Sequence, residues 1–305
     1  MPSASEPGLL AAPGADAAPP PVLYQYCGPD SLEPMLRGGR LWVSDSARMN
    51  DSTENVWIHE VVRRFFAAAD RPSYGVDISD ALYEFETHYA LAKDPQVFIT
   101  CFSARGDLLS QWRAYGKDGT GYSIGFRTAH WLVPVGITLD DISGFNGIGA
   151  ALDRVVYHEA EQMAVLRRLL DRLSELMESE GAGASMYFRD AMRETGTEAM
   201  LYLARFMKHP DFFEEQEWRI ACGNGLFGST RGPAAGSLGF SEEIKYRPGD
   251  IAYRELDFRR GRTEQPLAEI ILGPKCASTV EQVESSARLH GYQVATVRRS
   301  AVPYR

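Results

Sequence analysis

Short β-rich runs recur from residue 22 to residue 297, and helical stretches fall between them without regular strand–helix–strand alternation. That irregular mixing constrains the chain most. It predicts an α+β fold rather than a doubly wound α/β one, which needs a crossover helix after almost every strand. The β-rich runs are residues 22–26, 41–43, 97–102, 122–126, 155–157, 218–222, 244–246, 252–256, 269–272 and 292–297. Apolar spacing near 3.6 residues predicts helices over 54–69, 78–92, 108–115, 159–180, 184–193 and 197–208. Asp30 with Glu33, and Ser278 with Glu281, read as capping boxes that open two more. Gly38-Gly39 closes the first of these, and Gly291 closes the second. Residues 137–149 are glycine-rich and fit no element.

Residues 1–21 are mostly Ala, Pro, Gly and Ser, a composition too poor in large apolar side chains to pack, so a disordered tail is expected there. Residues 22–305 then form one domain, with a helical insertion at about 159–208. A chain of 305 residues can bury a core without staples. Cys27, Cys101, Cys222 and Cys276 are far apart and lack C-x-x-C spacing, so neither a disulfide framework nor a cysteine zinc site is expected. No apolar run reaches the ~18 residues of a membrane helix. The N-terminus lacks signal-peptide order, which leads to a cytoplasmic expectation and no membrane partner.

The net charge of −9 disfavours a broad grip on nucleic acid while leaving a local basic groove open. Glycines at 119, 121 and 125 miss the G-x-G-x-x-G offset, and no Walker lysine–serine pair follows a glycine loop. Among the six histidines no pair has H-x-x-x-H spacing, so no metal is implied. No G-x-S-x-G elbow supports a serine triad.

The informative stretch is Phe213-Glu214-Glu215-Gln216-Glu217-Trp218-Arg219-Ile220. If it is extended, Glu215 and Glu217 share a face, because strand side chains alternate. Like charges on one face repel. Such a pair suits a reaction that builds positive charge, such as the oxocarbenium-like state of a breaking glycosidic bond. The plainer alternative is a solvated acidic lead-in, with Arg219 pairing to a neighbour. A second cluster, Ser110-Gln111-Trp112-Arg113-Ala114-Tyr115, is either a helix that packs Trp112 into the core or an aromatic wall for a flat ligand. A third, Arg48-Met49-Asn50-Asp51-Ser52-Thr53-Glu54, is mostly explained by turn and capping chemistry.

Taken in order, these clusters resemble a bacterial family of unknown function, DUF2971. The segments that carry the resemblance are 23–26, 39–44, 49–54, 98–103, 111–115, 121–126, 215–219, 270–275 and 300–305, and Ser52 stands where proline is expected. The family in turn looks like a distant branch of the ADP-ribosyltransferase superfamily. That likeness implies a split sheet with several flanking helices and an NAD-binding cleft between two small sheets.

It also implies roles. The first-strand position falls at Tyr24 or Tyr26, with Gln25 between them, where the superfamily carries His or Arg. Ser103 takes the middle-strand position, and Glu217, with Glu215, the late-strand Glu-x-Glu. Glu269 is a rival for that place. Ser44, Arg48 and Asn50 would line the approach to the ribose or phosphates, and Trp112 or Tyr115 would stack near the nicotinamide or the acceptor. Glu215 or Glu159 would position the acceptor, and the loop 223–240 would close over the substrate. The implied activity is transfer of ADP-ribose from NAD to an unknown acceptor (protein, nucleic acid or small molecule), as in a bacterial toxin or defence effector. An NAD glycohydrolase and a non-catalytic nucleotide- or protein-binding module are the alternatives.

Overall fold

The structure is a computed structural model that describes residues 19–48, 57–68, 74–75, 79, 83, 97–133, 148–179, 185–224 and 238–304. Strands and helices mix in one open sheet, so the α+β expectation holds.

Strand β3 (Val97–Ser103) is the hub. Its whole length pairs antiparallel with β6 (Glu217–Asn224), from Val97↔Gly223 to Ser103↔Glu217. That occupies one of its two edges. The other edge is shared. Strand β2 (Arg40–Asp45) takes Phe98 and Ile99, and β1 (Val22–Cys27) takes Ser103. Thr100, Cys101 and Phe102 have no ladder partner on that edge among the described residues. The sheet therefore forks. One branch runs from β1 to β4 (Tyr122–Arg127), β9 (Leu267–Leu272) and β10 (Thr296–Arg299). The other runs from β2 to β8 (Ile251–Asp257) and β7 (Lys245–Arg247). Only β9 and β10 pair in parallel among the described strands. Strand β5 (Ile148–Arg154) lies outside β6.

Period-two alternation divides the core. One face of β3, β5 and β6 buries Val97, Ile99, Ala151 and Ala221 under α2 (Trp57–Ala67), α4 (Glu159–Ser179) and α5 (Met186–Phe206). The opposite face buries Phe98, Phe102, Leu152, Ile220 and Cys222, with α1 (Leu32–Gly38) and α6 (Val280–Leu289) contributing Leu32, Leu36 and Val283. Each Val, Leu, Ile or Phe among them contributes about 1.5–3 kcal/mol when taken from water. The helices α4 and α5 are the segment expected as an insertion, and Leu166, Leu169 and Leu170 are nearly inaccessible within that core.

Several local expectations shift. Helix α5 is continuous where a break near residue 194 was expected, because packing against α2 and α4 outweighs the weak helix propensity of Thr195, Gly196 and Thr197. Strand β5 ends at Arg154, so only Val156 of the expected 155–157 run makes a bridge. The final strand is 296–299 rather than 292–297. Ser31, not Asp30, precedes α1 with no side-chain cap, and Glu33 instead meets Ser286 and His290. The α6 box belongs to Thr279 with Gln282, one residue later than expected. Most of the predicted 78–92 helix and the 223–240 loop lie outside the described residues, as does the tail through residue 18. Among the described residues no helix is long and apolar enough to cross a membrane, and no group of three or more His, Cys, Asp or Glu is placed to hold a metal. The four cysteines are free.

Candidate active site

The fork in the sheet opens into a cavity of about 780 Å³, the size of a small-molecule site. Its floor is Ile99–Ser103, which contains Thr100–Phe102, the part of β3 with no ladder partner on that edge among the described residues. Gln25 spans that gap, its Nε2 donating to Thr100 Oγ1 at 2.9 Å. Tyr24 and Tyr26 come from one branch, Arg40, Trp42 and Ser44 from the other, and Tyr115, Lys208, Glu215 and Glu217 close one end.

Glu217 and Arg219 are two residues apart on β6 and so lie on one face. Arg219 Nε and Nη2 donate to Glu217 Oε1 and Oε2, both at 2.9 Å, and Arg219 Nη1 donates to the Arg205 carbonyl at 2.7 Å. Lys208 Nζ is 3.5 Å from Glu217 Oε2. The Glu217 backbone N–H donates to the Tyr157 hydroxyl at 3.1 Å, which locks the start of the strand. Burial pushes the Glu217 carboxyl up, but the charges of Arg219 and Lys208 and the hydrogen bonds from Arg219 and the Cys101 thiol outweigh it and bring it down to about 2. Glu217 is thus an ionised carboxylate kept in a nearly dry place.

Glu215 arrives differently from what alternation predicts. It ends a 3₁₀ turn over Pro210–Glu215, and Gln216 is left-handed at φ 45°, so the two glutamates do not belong to one extended run. They meet nonetheless at Lys208, which donates to Glu215 Oε2 at 2.7 Å. Tyr115 donates to Glu215 Oε1 at 3.2 Å. Burial raises the Glu215 carboxyl, Lys208 opposes, and the negative charge of Glu217 adds to the rise. The two carboxyls are therefore driven apart, one down and one up, as in paired acid–base sites. Burial first, and then the negative charges of Glu215 and Glu217 against the opposing Lys208, raise the Tyr115 phenol.

The other expected site residues scatter. Ser103 lines the cavity, but its Oγ donates to the Glu215 carbonyl at 3.0 Å and accepts from Arg105 N–H at 3.2 Å. Tyr26 lines it with its ring, while its hydroxyl donates to the Arg105 carbonyl and accepts from Leu108 N–H, both at 2.9 Å. Tyr24 donates to Glu269 Oε2 at 3.1 Å. Glu269 is also taken up by Arg298 Nε at 2.7 Å and does not line the cavity. Trp112 is away from the lining, fully buried edge-on to Tyr26 at 4.8 Å, with its Nε1 donating to Asp107 Oδ1 at 2.7 Å. The core alternative for Trp112 describes that position. Glu159 pairs with Arg64 outside the cavity. Ser44 lines the cavity; Arg48 lies in the short 3₁₀ turn after β2, and Asn50 falls outside the described residues.

Lys208, Arg40, Trp42 and Arg247 are among the lining residues missed from sequence. Lys208, between the two glutamates, left no local signal. Arg40 and Trp42 had one: Arg40-x-Trp42-x-Ser44 alternates with buried Leu41 and Val43, so a polar-aromatic row faces the cavity.

Residues 111–220 match the family model described as "Protein of unknown function (DUF2971)", which bears out the family resemblance over that segment. It runs through α3 (Leu109–Ala114) to β6 and includes Tyr115, Lys208, Glu215 and Glu217. No curated protein and no solved structure matches the chain.

Proposed function

We propose that the chain is an ADP-ribosyltransferase-like enzyme that binds NAD in the fork of its sheet, breaks the nicotinamide–ribose bond and passes ADP-ribose to an acceptor. The observation that carries this reading is the pair of cavity carboxyls with opposite tendencies, Glu217 held ionised and Glu215 raised. Nicotinamide leaves with the electrons of the C–N bond, and the ribose carbon becomes oxocarbenium-like. An ionised carboxylate in a dry site stabilises that charge. The acceptor then bonds to the ribose carbon, and its proton passes to Glu215, whose raised affinity suits it as a base. Water in the acceptor's place makes the same site an NAD glycohydrolase.

One observation favours a second reading. Both Glu217 oxygens are engaged by Arg219, and Lys208 stands beside one. A carboxylate has about four acceptor positions, so a ribose hydroxyl must share what is left. In a non-catalytic nucleotide-binding module, Glu217 serves only to neutralise the two buried cations.

Nicotinamide release separates the readings. The enzyme reading expects the wild type to release nicotinamide from NAD, Glu217→Gln to bind NAD without release, and Glu215→Gln to release it slowly. NAD binding without release, with a panel of protein, nucleic-acid and small-molecule acceptors present, supports the module. Absence of both binding and release rules out both readings.

A further inference from the structure

The end of the cavity opposite the glutamates is built from the β2–β8–β7 branch and presents one row of side chains. Arg40, Trp42 and Ser44 lie on the cavity face of β2, and Arg247 of β7 joins them. Trp42 is 51% exposed, although it is the largest apolar surface on its strand. Tyr253 packs against it at 5.0 Å between ring centroids, tilted by 39°, and half of the side chain stays open to solvent. The Arg247 guanidinium lies over the indole, 5.8 Å from its centroid.

Charge on this face is unbalanced. Arg40 and Lys245 share one carboxylate, Glu255, at 2.6 and 2.9 Å. Arg247 has no carboxylate partner among the described residues, and its buried Nε makes no hydrogen bond. Its other guanidinium nitrogens make no hydrogen bond among the described residues either, so they remain for an incoming anion. So a chain with net charge −9 keeps a cationic, aromatic shelf at the mouth of its cavity.

We infer that this shelf is the subsite for a nucleoside diphosphate: the planar base stacks on Trp42, and the phosphates take the free hydrogen-bonding edge of Arg247, with Arg40 beside it. An aromatic face suits any base, because stacking needs only a π-surface. A guanidinium suits phosphate through its planar fork of donors. Glu255 sets the limit on charge, because a phosphate must approach Arg40 from the side that Glu255 does not occupy. In naming the ligand as the ADP half of NAD, the inference rests on the reading above. It assigns orientation: ADP at the β2–β8–β7 branch and the nicotinamide ribose at Glu217.

The test uses ADP, which has no nicotinamide bond to break, so binding is measured apart from chemistry. Trp57, Trp112, Trp131 and Trp218 are each at most 8% exposed, so iodide quenching of the full chain reports Trp42. ADP should protect the indole from iodide. Trp42→Ala should weaken ADP binding, measured by calorimetry, roughly tenfold, with Trp42→Phe recovering part of the loss. Arg247→Met should weaken ADP roughly tenfold and leave adenosine nearly unaffected. Equal ADP affinity in the wild type, Trp42→Ala and Arg247→Met overturns the subsite, and so does absence of ADP binding by the wild type, even if nicotinamide is released. ADP binding with the expected losses but no nicotinamide release leaves the subsite standing and removes the catalytic reading.

Discussion

The two ends of the cavity solve opposite problems. At the glutamate end, charges are buried, paired and fixed: Glu217, Arg219 and Lys208 are each at most 8% exposed at the side chain. At the other end Trp42 and the guanidinium of Arg40 stand half in water. Buried charge must be satisfied inside the fold, because taking it from water costs several kcal/mol per ion. Its geometry is therefore part of the folded state, as a site that stabilises a transient charge requires. Exposed aromatic and cationic groups cost the fold little and keep their interactions for a ligand. In this molecule the buried, fixed charges sit on β6 and the turn before it, and the exposed aromatic and cationic groups on the β2–β8–β7 branch, on opposite edges of β3.

Substitutions can break that contrast, and two tryptophans sharpen it most. Trp112→Ala should destabilise by about 3–5 kcal/mol in denaturant unfolding, since it empties a fully buried site and removes one of the donors to Asp107. Trp42→Ala should move stability by no more than about 0.5 kcal/mol. Arg219→Met comes next. It leaves Glu217 buried with Lys208 as its remaining cation and should cost about 3 kcal/mol. A loss under about 1 kcal/mol would mean that the glutamate end is not the rigid one.

Acid titration divides the two carboxyls. Glu217 is lowered from 4.5 to about 2, so its stabilisation is full above 4.5 and disappears as pH falls toward 2. Glu215 is raised above 4.5, so its contribution is full below that value and is lost as pH rises through its folded value. The stability gap between wild type and Glu217→Gln should therefore close below pH 4.5, whereas the gap for Glu215→Gln should shrink on going upward from it. Two gaps that change in the same direction would refute the opposed pair. The smallest effect is ionic: ADP affinity should fall severalfold between 50 and 200 mM salt (both values about those of ordinary practice), with Glu217 chemistry nearly indifferent, because exposed charges are screened and buried ones are not.

Much of the architecture was legible. The runs at 41–43, 97–102, 122–126 and 269–272 became strands because their apolar, β-branched and aromatic side chains suit a pleated half-buried surface. Gly39 could end α1 because it accepts φ 64° without a Cβ penalty. The continuity of α5 was not legible, because Thr195, Gly196 and Thr197 read locally as a break and only the facing helices decide otherwise. In the site, Glu215 and Glu217 were singled out for an alternation that the left-handed Gln216 interrupts, and they meet through Lys208 instead. Trp112 and Trp42 had both been visible as aromatic residues on short elements. Which of them faces a cavity depends on whether a neighbouring strand covers the face.

Periodicity and composition by themselves determined the α+β class, most elements and the Glu-x-Glu stretch, because those depend on side chains a few residues apart. Tertiary structure decided the fork of the sheet, the lysine that draws the two glutamates together, and the freedom of Arg247. Each depends on which edge of a strand is left unpaired and which charges burial brings within a few ångströms, and these are set by partners distant in sequence.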